Sequence, residues 1–538
     1  MSEKTSFSEE EIVEAIHEWP VTASDNLYDD DQTERAHNPA SVSSFFLRNV
    51  GRAKKVSVAD EGHDAGGGEE LLVDTALAVW WKRTGRHMVA LSSLPSTDNP
   101  DTLIRYIAGT DEGLDFMQDE IKRLRGKLSK GSKNLSVPSA LSSFYERLGN
   151  LSLAMMHLET VLQKTPEDKE AKWRHHRLER AVQYRQAQEE RLMKMDHNSH
   201  SELDFPKPIE VDRVSCCKLS YVDFFHKYAV TSTPVIITGL SVTREPWTLE
   251  HIAQVAGNCK VTLKTPVKES VKWARLEDSE TMIVREFIDR IHDKKEDAKP
   301  LYIFDWSLPI HCPDLAKGLT IPKYFAGDFL QRTLPGSLYQ DSWPSLFVAP
   351  AGVVSDLHVD TFGSNFWMAL FQGRKRWTFF PKSDTSLLYP VFSTPWGCDP
   401  NFSIDLSSPD MKQFPLLAQT SPIQCVLEPG EVLFVPAGCP HRVENLETSV
   451  AISGNYVDLS NIDLVKRELT LAGLLDERSC DLLEQFNNPD FPSNLWSEID
   501  HLPYEEFKAW AELKELYEKF DITSKTLKEQ KIDVFEQK

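Results

Sequence analysis

Cysteine is scarce in this sequence, and its spacing fits neither a zinc module nor a disulfide scaffold. The chain has 538 residues and 8 cysteines, with no CxxC pair. This excludes a small disulfide-rich fold and is typical of an intracellular protein with free thiols. Long apolar runs are also missing: no segment approaches the ~20 residues that span a bilayer, and the start, MSEKTSFSEEE, has no apolar signal-peptide core. We therefore expect a protein of the nucleus or cytoplasm that does not bind membranes.

Positive charge is in the minority. Lys and Arg number 60 against 82 Asp and Glu, which gives a net charge of −22. This balance argues against direct nucleic-acid binding, because such proteins need a basic surface. Hydrophobic residues make up 41% of the chain and charged residues 26%, which is ordinary globular composition. At this length we expect more than one domain.

Shifts in composition and periodicity divide the chain into five segments and predict a multidomain α+β protein. Residues 1–65 are polar and lack a sustained period, which indicates a flexible N-terminal segment. Residues 70–196 have helical periodicity, and 197–210 has the composition of a linker. Short strands dominate 211–460, and helical periodicity returns in 461–538.

The N-terminal helical region has a partial resemblance to tetratricopeptide repeats. Six residues fall at the offsets of such a helix pair: Tyr145, Gly149, Ala154, Leu158, Val161 and Pro166. Only one repeat is convincing, and a stable solenoid needs about three. A helical bundle with one chance match is an equally good interpretation. Ahead of this pair, LLVDTALAVWWKRTG from Leu71 predicts a further amphipathic helix.

The C-terminal region ends in a strongly amphipathic stretch, FKAWAELKELYEKF. Its apolar face has helical spacing and consists of Phe507, Trp510, Leu513, Tyr517 and Phe520. Such a face needs a cover. Packing on the core is the first explanation, and a homodimer or a protein partner bound through the helical regions is the second.

Seven short runs rich in β-branched and aromatic residues predict the strands of the central region. They are PVIITGL (234–240), KVTLKT (260–265), PLYIF (300–304), SLFVAP (345–350), NFWMALFQ (365–372), KRWTFF (375–380) and GEVLFVP (430–436). Many short strands bounded by Gly, Pro, Asn and Asp indicate a sandwich or a barrel.

Two motifs in this region contain a candidate metal site. In GVVSDLHVD, His358 and Asp360 are two residues apart, so both side chains project from the same face of a strand. In GEVLFVPAGCPHRVEN, a strand ends at a Pro-Ala-Gly turn and His441 begins the next. Two histidines and one carboxylate on one face form the facial triad that suits Fe(II) oxygen chemistry. HxD alone is weak evidence, and the second motif at matching offsets is what favours His358, Asp360 and His441 as metal ligands and catalytic residues.

The two motifs resemble those of the cupin superfamily, and the longer sequence around them resembles a Jumonji C (JmjC) domain. The resemblance covers residues 205–465 and is closest to the small JmjC subgroup that contains a lysyl hydroxylase also proposed as an arginine demethylase. Four stretches carry it: PLYIFD (300–305), IPKYF (321–325), LHVDTFGSNFWMALFQGRKRWTFFP (357–381) and GEVLFVPAGCPHRVENLETSVAISGNY (430–456). It implies a double-stranded β-helix, or jelly roll, that uses Fe(II), with 2-oxoglutarate and O₂ as cosubstrates. It also implies hydroxylation or N-demethylation of a protein side chain, lysine or arginine.

The resemblance further implies which residues bind 2-oxoglutarate. Lys375 lies 375 − 358 = 17 residues after His358, where the subgroup keeps the lysine for the far carboxylate. Strand alternation predicts that Lys375 points inward and that Arg374 and Arg376 point outward. Ser453 and Tyr302 match a hydroxyl and a tyrosine of the same subsite, and two weaker candidates are Ser355 and Asn455.

One departure from the subgroup and two alternative functions stay open. Met368 stands where the subgroup commonly has asparagine, and a methionine cannot donate a hydrogen bond. One alternative is a JmjC-fold scaffold or interaction protein without turnover. The other is a cupin metalloenzyme that does not use 2-oxoglutarate, which Lys375 disfavours. An iron titration with a 2-oxoglutarate turnover assay distinguishes them.

Overall fold

The computed structural model describes most of the chain between residues 111 and 508. The described ranges are 111–195, 203–244, 246–268, 270, 272–293, 300–392, 399–491 and 501–508. Three predictions fall outside them: the flexible segment 1–65, the helix from Leu71, and the C-terminal apolar face beyond Phe507.

Along the chain, helices precede the strands, occur between them and follow them. They are α1 (Asp111–Ser129), α2 (Ser136–Arg147), α3 (Leu151–Lys164), α4 (Lys169–Met193), α5 (Tyr221–Phe224), α6 (Leu249–Ala256), α7 (Val284–Asp293), α8 (Leu308–His311), α9 (Pro313–Ala316), α10 (Ile462–Ala472), α11 (Glu477–Asn487) and α12 (Tyr504–Lys508). Among these described helices, none has both the length and the apolar composition that a bilayer crossing requires.

The strands are short, and all but the last lie between residues 209 and 456. They are β1 (Ile209–Glu210), β2 (Asp212–Ser215), β3 (Val235–Thr238), β4 (Lys260–Pro266), β5 (Leu276–Ile283), β6 (Ile303–Ser307), β7 (Thr320–Ile321), β8 (Ser345–Ala349), β9 (Val354–His358), β10 (Asn365–Gln372), β11 (Lys375–Phe379), β12 (Pro390–Val391), β13 (Asn401–Phe402), β14 (Ile423–Leu427), β15 (Val432–Val435), β16 (His441–Asn445), β17 (Ser449–Tyr456) and β18 (Leu502–Pro503).

Two sheets face each other and enclose the site. One has the strand order β1-β14-β11-β16-β9, and the other has the order β2-β3-β15-β10-β17-β8-β6. Sequence neighbours such as β8 and β9 lie in different sheets, and most pairs are antiparallel. This is the double-stranded β-helix that the resemblance implies. β1 pairs in parallel with β14, so residues 209–210 belong to the sheet although we assign them to the linker.

Alternation along the strands separates the two faces of the larger sheet. On β10, Phe366 and Met368 join the apolar cluster between the sheets, together with Trp377 from β11. The intervening Trp367 belongs to a second cluster on the outer face, where α5, α6 and α7 cover the sheet. Because both faces of β10 are buried, its sequence is a continuous apolar run rather than an alternating one.

The helical unit formed by α1–α4 has its own apolar cluster. α2 and α3 form an antiparallel hairpin that turns at Gly149, whose φ of 73° suits a residue without Cβ. Ala154, Leu158 and Val161 of α3 are buried in it. The next element is the single 25-residue helix α4, so the tetratricopeptide interpretation stays a prediction.

α4 also packs against the strand-rich region. Arg180 forms a two-point ion pair with Glu468 of α10 at 2.8 and 3.1 Å. Tyr184 stacks on Phe392 with ring centroids 5.6 Å apart. The helical unit is therefore fixed to the same region that contains the predicted metal ligands.

Candidate metal and cosubstrate site

His358, Asp360 and His441 meet between the two sheets. His358 ends β9 and His441 begins β16, and the two are direct partners in the antiparallel pairing. Asp360 follows β9 with an extended backbone (φ −66°, ψ 146°), so its side chain lies on the same face as that of His358. The possible ligand atoms of all three lie within 4.8 Å of one another, and this arrangement could hold a metal ion.

Both imidazoles are oriented by a backbone carbonyl. Nδ1 of His441 donates to the carbonyl oxygen of Cys439 at 3.0 Å, and Nδ1 of His358 donates to that of Asp356. A carbonyl can only accept, so each Nδ1 carries the proton and each Nε2 keeps its lone pair. Histidines that bind metal are usually held in this way.

Burial keeps the two histidines neutral and makes the carboxylate costly without a cation. It lowers the pKa of His441 to about 4, and burial together with His441 lowers the pKa of His358 well below its ordinary value. Burial, with Asp305 nearby, raises the pKa of Asp360 to about 7. Among the described residues, none donates a hydrogen bond to the Asp360 carboxylate. Two neutral imidazoles and an uncompensated carboxylate are the donor set that a divalent cation needs.

Aromatic rings enclose the two histidines. The indole of Trp273 meets the ring of His358 edge-on with centroids 4.2 Å apart, and its Nε1 donates to the carbonyl oxygen of Val359 at 2.8 Å. Trp377 stacks on His441 with centroids 5.6 Å apart. These rings limit water around the ligands and fix their orientation.

Arg275 and Arg442, here called the charged bracket, contact β9 from outside the barrel. Arg275 contacts the carboxylate of Asp356 at 2.8 Å and donates to the carbonyl oxygen of Phe402 at 2.7 Å. Arg442 approaches the same carboxylate at 3.8 Å. Because the backbone carbonyl of Asp356 accepts from His358, this bracket positions a candidate metal ligand. Sequence reasoning missed it, since residues so distant along the chain share no local pattern.

Lys375 lies inside the barrel, and its two neighbours lie outside. The Lys375 side chain is fully buried at the start of β11, whereas Arg374 and Arg376 pair with the surface carboxylates of Glu428 and Glu444 at 3.0 Å. Burial lowers the pKa of Lys375 to about 7. Within the described part of the chain, its ammonium group has no carboxylate partner. A buried cation without an anion suits a ligand that brings its own carboxylate.

Asn445 is a site residue whose role the sequence analysis did not assign. Its Oδ1 accepts from Nζ of Lys375 and from Oγ of Ser449, both at 2.7 Å. Its Nδ2 donates to the carbonyl oxygen of Val353 at 2.8 Å. Asn445 faces inward on β16 with His441, and this four-residue spacing along a strand is the signal that could have identified it.

The other candidates for the 2-oxoglutarate subsite differ in how well they fit it. Tyr302 and Ser355 are buried near Lys375: the ammonium lies 5.7 Å from the Tyr302 ring, and burial raises the pKa of that phenol while hydrogen bonding with Ser355 partly offsets the rise. Oγ of Ser453 is buried and has no partner among the described residues, so it is free to bind a ligand. Asn455 already donates to Ser364 at 2.8 Å, which makes it the weakest candidate.

The family comparison agrees with this architecture. Residues 222–461 match the family model described as a cupin-like domain. That range contains the three candidate metal ligands, Lys375 and both sheets except their first strands.

Several curated proteins are similar to the same part of the chain. "Arginine-specific demethylase JMJ20" of Arabidopsis thaliana is 28% identical over 48% of this chain and 59% of its own length. "Bifunctional arginine demethylase and lysyl-hydroxylase psr-1" of Caenorhabditis elegans is 28% identical over 47% of this chain and 63% of its own. "2-oxoglutarate and iron-dependent oxygenase JMJD4" of Danio rerio is 26% identical over 51% and 66%. In each case the match spans less than two thirds of the relative. With the sheet topology, the matched family model shows that residues 222–461 of this chain have a cupin-like fold.

Proposed function

We propose that this protein is an Fe(II)- and 2-oxoglutarate-dependent dioxygenase that acts on a protein side chain. One observation carries the proposal: among the described residues, the interior of the same barrel holds a His-Asp-His cluster whose carboxylate accepts no hydrogen bond and a buried lysine that has no anionic partner. The cluster suits a divalent metal, and the lysine suits the far carboxylate of a keto acid that chelates that metal. A cupin metalloenzyme without 2-oxoglutarate would have no use for the second feature.

The chain's own residues have separate tasks in this reaction. His358, Asp360 and His441 would hold Fe(II) through Nε2 and carboxylate oxygens and leave coordination positions open. Lys375, supported by Asn445, would bind the far carboxylate, with Tyr302 and Ser453 as further contacts. Bound iron and 2-oxoglutarate would supply the activation of O₂ for hydroxylation of a C–H bond. The aromatic rings around the histidines exclude water from that chemistry.

We propose lysine or arginine as the side chain that is modified. The named activities of the similar proteins, arginine demethylase and lysyl hydroxylase, support this substrate class. Both activities begin with hydroxylation of a carbon, and demethylation follows when that carbon is an N-methyl group. We favour hydroxylation, because the sequence contains no CxxC-based zinc reader module of the kind that many chromatin demethylases have.

The metal assignment is tested by iron titration and 2-oxoglutarate turnover of the full chain. We expect His441→Ala to abolish iron binding and turnover while the circular-dichroism spectrum is unchanged, because the barrel core is apolar. Wild-type turnover in His441→Ala would overturn the metal assignment. An iron-loaded wild type that never consumes 2-oxoglutarate would instead favour a scaffold.

The cosubstrate assignment is tested with a matched pair of cations. Lys375→Ala leaves a buried carboxylate of 2-oxoglutarate unpaired, so we expect its Kd to rise by about 100-fold with iron binding nearly intact. Arg374→Ala is the control, since its pair with Glu428 is at the surface and its loss should change the Kd little. The substrate is then sought by comparing the proteomes of cells with and without the protein for a mass gain of about 16 Da, that of one oxygen atom.

A further inference from the structure

A buried N–H group in the barrel interior lacks an acceptor. The side chain of Trp377 is 1% exposed, and its Nε1 has no hydrogen-bond partner among the described residues. A buried indole N–H normally finds a partner, because leaving it unpaired costs the free energy of its lost hydration. Such a group in the interior of a binding fold points to an acceptor that a ligand supplies.

Trp377 lies between the two ends of the proposed cosubstrate site. It follows Lys375 by two residues on β11, so both side chains project from the inward face. Its ring stacks on His441 at an interplanar angle of 29°. A molecule that reaches from the metal ligands to the Lys375 ammonium group must therefore pass beside this indole.

At position 368, the facing sheet offers no hydrogen-bond donor. Met368 on β10 pairs with Ser453 on β17, and both lie on the inward face. The thioether of Met368 cannot donate a hydrogen bond, and Oγ of Ser453 has no partner. Among the described residues, the interior thus has two hydrogen-bonding groups without a partner, one on each sheet, beside a lysine ammonium without an anionic partner.

We propose that Nε1–H of Trp377 donates a hydrogen bond to a carboxylate oxygen of bound 2-oxoglutarate, and so supplies the neutral donor that Met368 cannot. The inference rests on the proposed function, because it takes 2-oxoglutarate as the ligand. It adds to Lys375 a second contact from the same strand, and it explains how the site binds an anion without an amide on β10.

The direct test is the indole N–H resonance of Trp377 in the full chain. Protein with ¹⁵N-labelled tryptophan is loaded with Zn²⁺, which does not turn over, and titrated with 2-oxoglutarate. The chain has 13 tryptophans. The resonance of Trp377 is identified by its loss in Trp377→Phe, or by broadening when Mn²⁺ replaces Zn²⁺ beside His441. We expect a downfield shift of the indole proton that saturates with binding, and no shift on saturation would overturn the proposal.

Affinity provides the second readout. Trp377→Phe removes the N–H and keeps the aromatic ring, and we expect the Kd for 2-oxoglutarate to rise about tenfold, with Zn²⁺ binding unchanged. Trp367→Phe is the control, because Trp367 is a buried tryptophan of the outer-face cluster. Its Kd should stay within about twofold of wild type. Equal Kd values for wild type and Trp377→Phe would overturn the proposal.

An added amide on the facing strand tests the shared role. If Trp377 supplies the donor that Met368 lacks, Met368→Asn should recover most of the lost affinity in the Trp377→Phe background. If the double variant binds 2-oxoglutarate no more tightly than Trp377→Phe does, Trp377 does not replace a donor at position 368. Failure of Zn²⁺-loaded wild type to bind 2-oxoglutarate at all would refute the proposed function itself. Binding without a shift of the indole resonance would refute only the role of Trp377.

Discussion

Lys375 shows how one buried residue makes a site depend on its ligand. Its ammonium group is fully buried and has no carboxylate partner among the described residues. Its hydrogen bond there is to the amide oxygen of Asn445, at 2.7 Å. Burial therefore lowers its pKa to about 7, because the charged form has lost water without gaining an anion. A bound carboxylate would restore the missing attraction and raise that pKa again.

This predicts proton uptake when 2-oxoglutarate binds above neutral pH. Lys375 is charged below its free-state pKa of about 7 and neutral above it. At about pH 8.5, binding must then add close to one proton, whereas at about pH 6 it adds almost none, and the affinity should fall as pH rises through 7. Calorimetry of the Zn²⁺-loaded protein in two buffers of different ionisation enthalpy measures the uptake. In Lys375→Ala, the binding enthalpy should no longer differ between the two buffers. Equal binding enthalpies of the wild type in the two buffers at about pH 8.5 would contradict proton uptake by Lys375.

At the scale of elements, the loop between β4 and β5 braces the strand that ends at His358. Its residues Ala274 and Arg275 have positive φ values of 51° and 54°, which non-glycine residues adopt only where the surroundings hold them. This conformation places Trp273 on His358 and Arg275 on Asp356. The loop therefore contacts both the candidate metal ligand His358 and the strand that carries it.

We expect Arg275→Gln to weaken metal binding by about tenfold without unfolding the protein, because partners that orient metal ligands have effects of this size. The measurement is a competition titration of Zn²⁺ against a chelator. Arg374→Gln is the matched control, since it breaks an ion pair of 3.0 Å whose side chains are half-exposed. Equal losses in both variants, or no loss in Arg275→Gln, would show that the bracket is not a positioning element.

Local pattern predicts much of this architecture, and long-range contacts explain the rest. The runs at 365–372 and 375–380 coincide with β10 and β11, and alternation correctly separates Lys375 from Arg374. The run at 300–304 is displaced: β6 is Ile303–Ser307, because Tyr302 bridges to Lys264 instead. β5, LEDSETMI, escaped prediction because its middle stretch, EDSET, is entirely acidic or polar. Its strand conformation comes from pairing with β4, which no local signal encodes.

At the scale of the whole molecule, a buried arginine joins the helical unit to the cupin-like domain. Arg177 of α4 is fully buried and forms a two-point ion pair with Glu146 of α2. The same guanidinium donates to the carbonyl oxygen of Phe392 at 3.2 Å. Breaking this pair would remove both contacts of the guanidinium with Glu146 and one contact of Phe392 with α4.

We therefore predict that Arg177→Ala lowers the free energy of unfolding by about 3 kcal/mol, because removing one partner of a buried ion pair is strongly destabilising. Chemical denaturation followed by tryptophan fluorescence and circular dichroism measures the loss. Arg185→Ala is the control: Arg185 lies on the same helix, and its one hydrogen bond among the described residues is to the carbonyl oxygen of Gly149 at an exposed position. Its cost should stay below about 0.5 kcal/mol. A loss in Arg177→Ala no larger than in Arg185→Ala would refute a joining role.

The loop that braces His358 has a further consequence, for self-association. β9 is the last strand of its sheet, so one row of its backbone groups faces away from β16. The Trp273–Arg275 turn contacts the end of this strand, where Nε1 of Trp273 donates to the carbonyl oxygen of Val359, the residue after β9. A bare edge strand is a template on which another chain can add a strand of its own. Because the turn contacts this strand, it would oppose such an addition at the strand that bears a candidate metal ligand, and resistance to self-association and metal affinity would then depend on the same three residues.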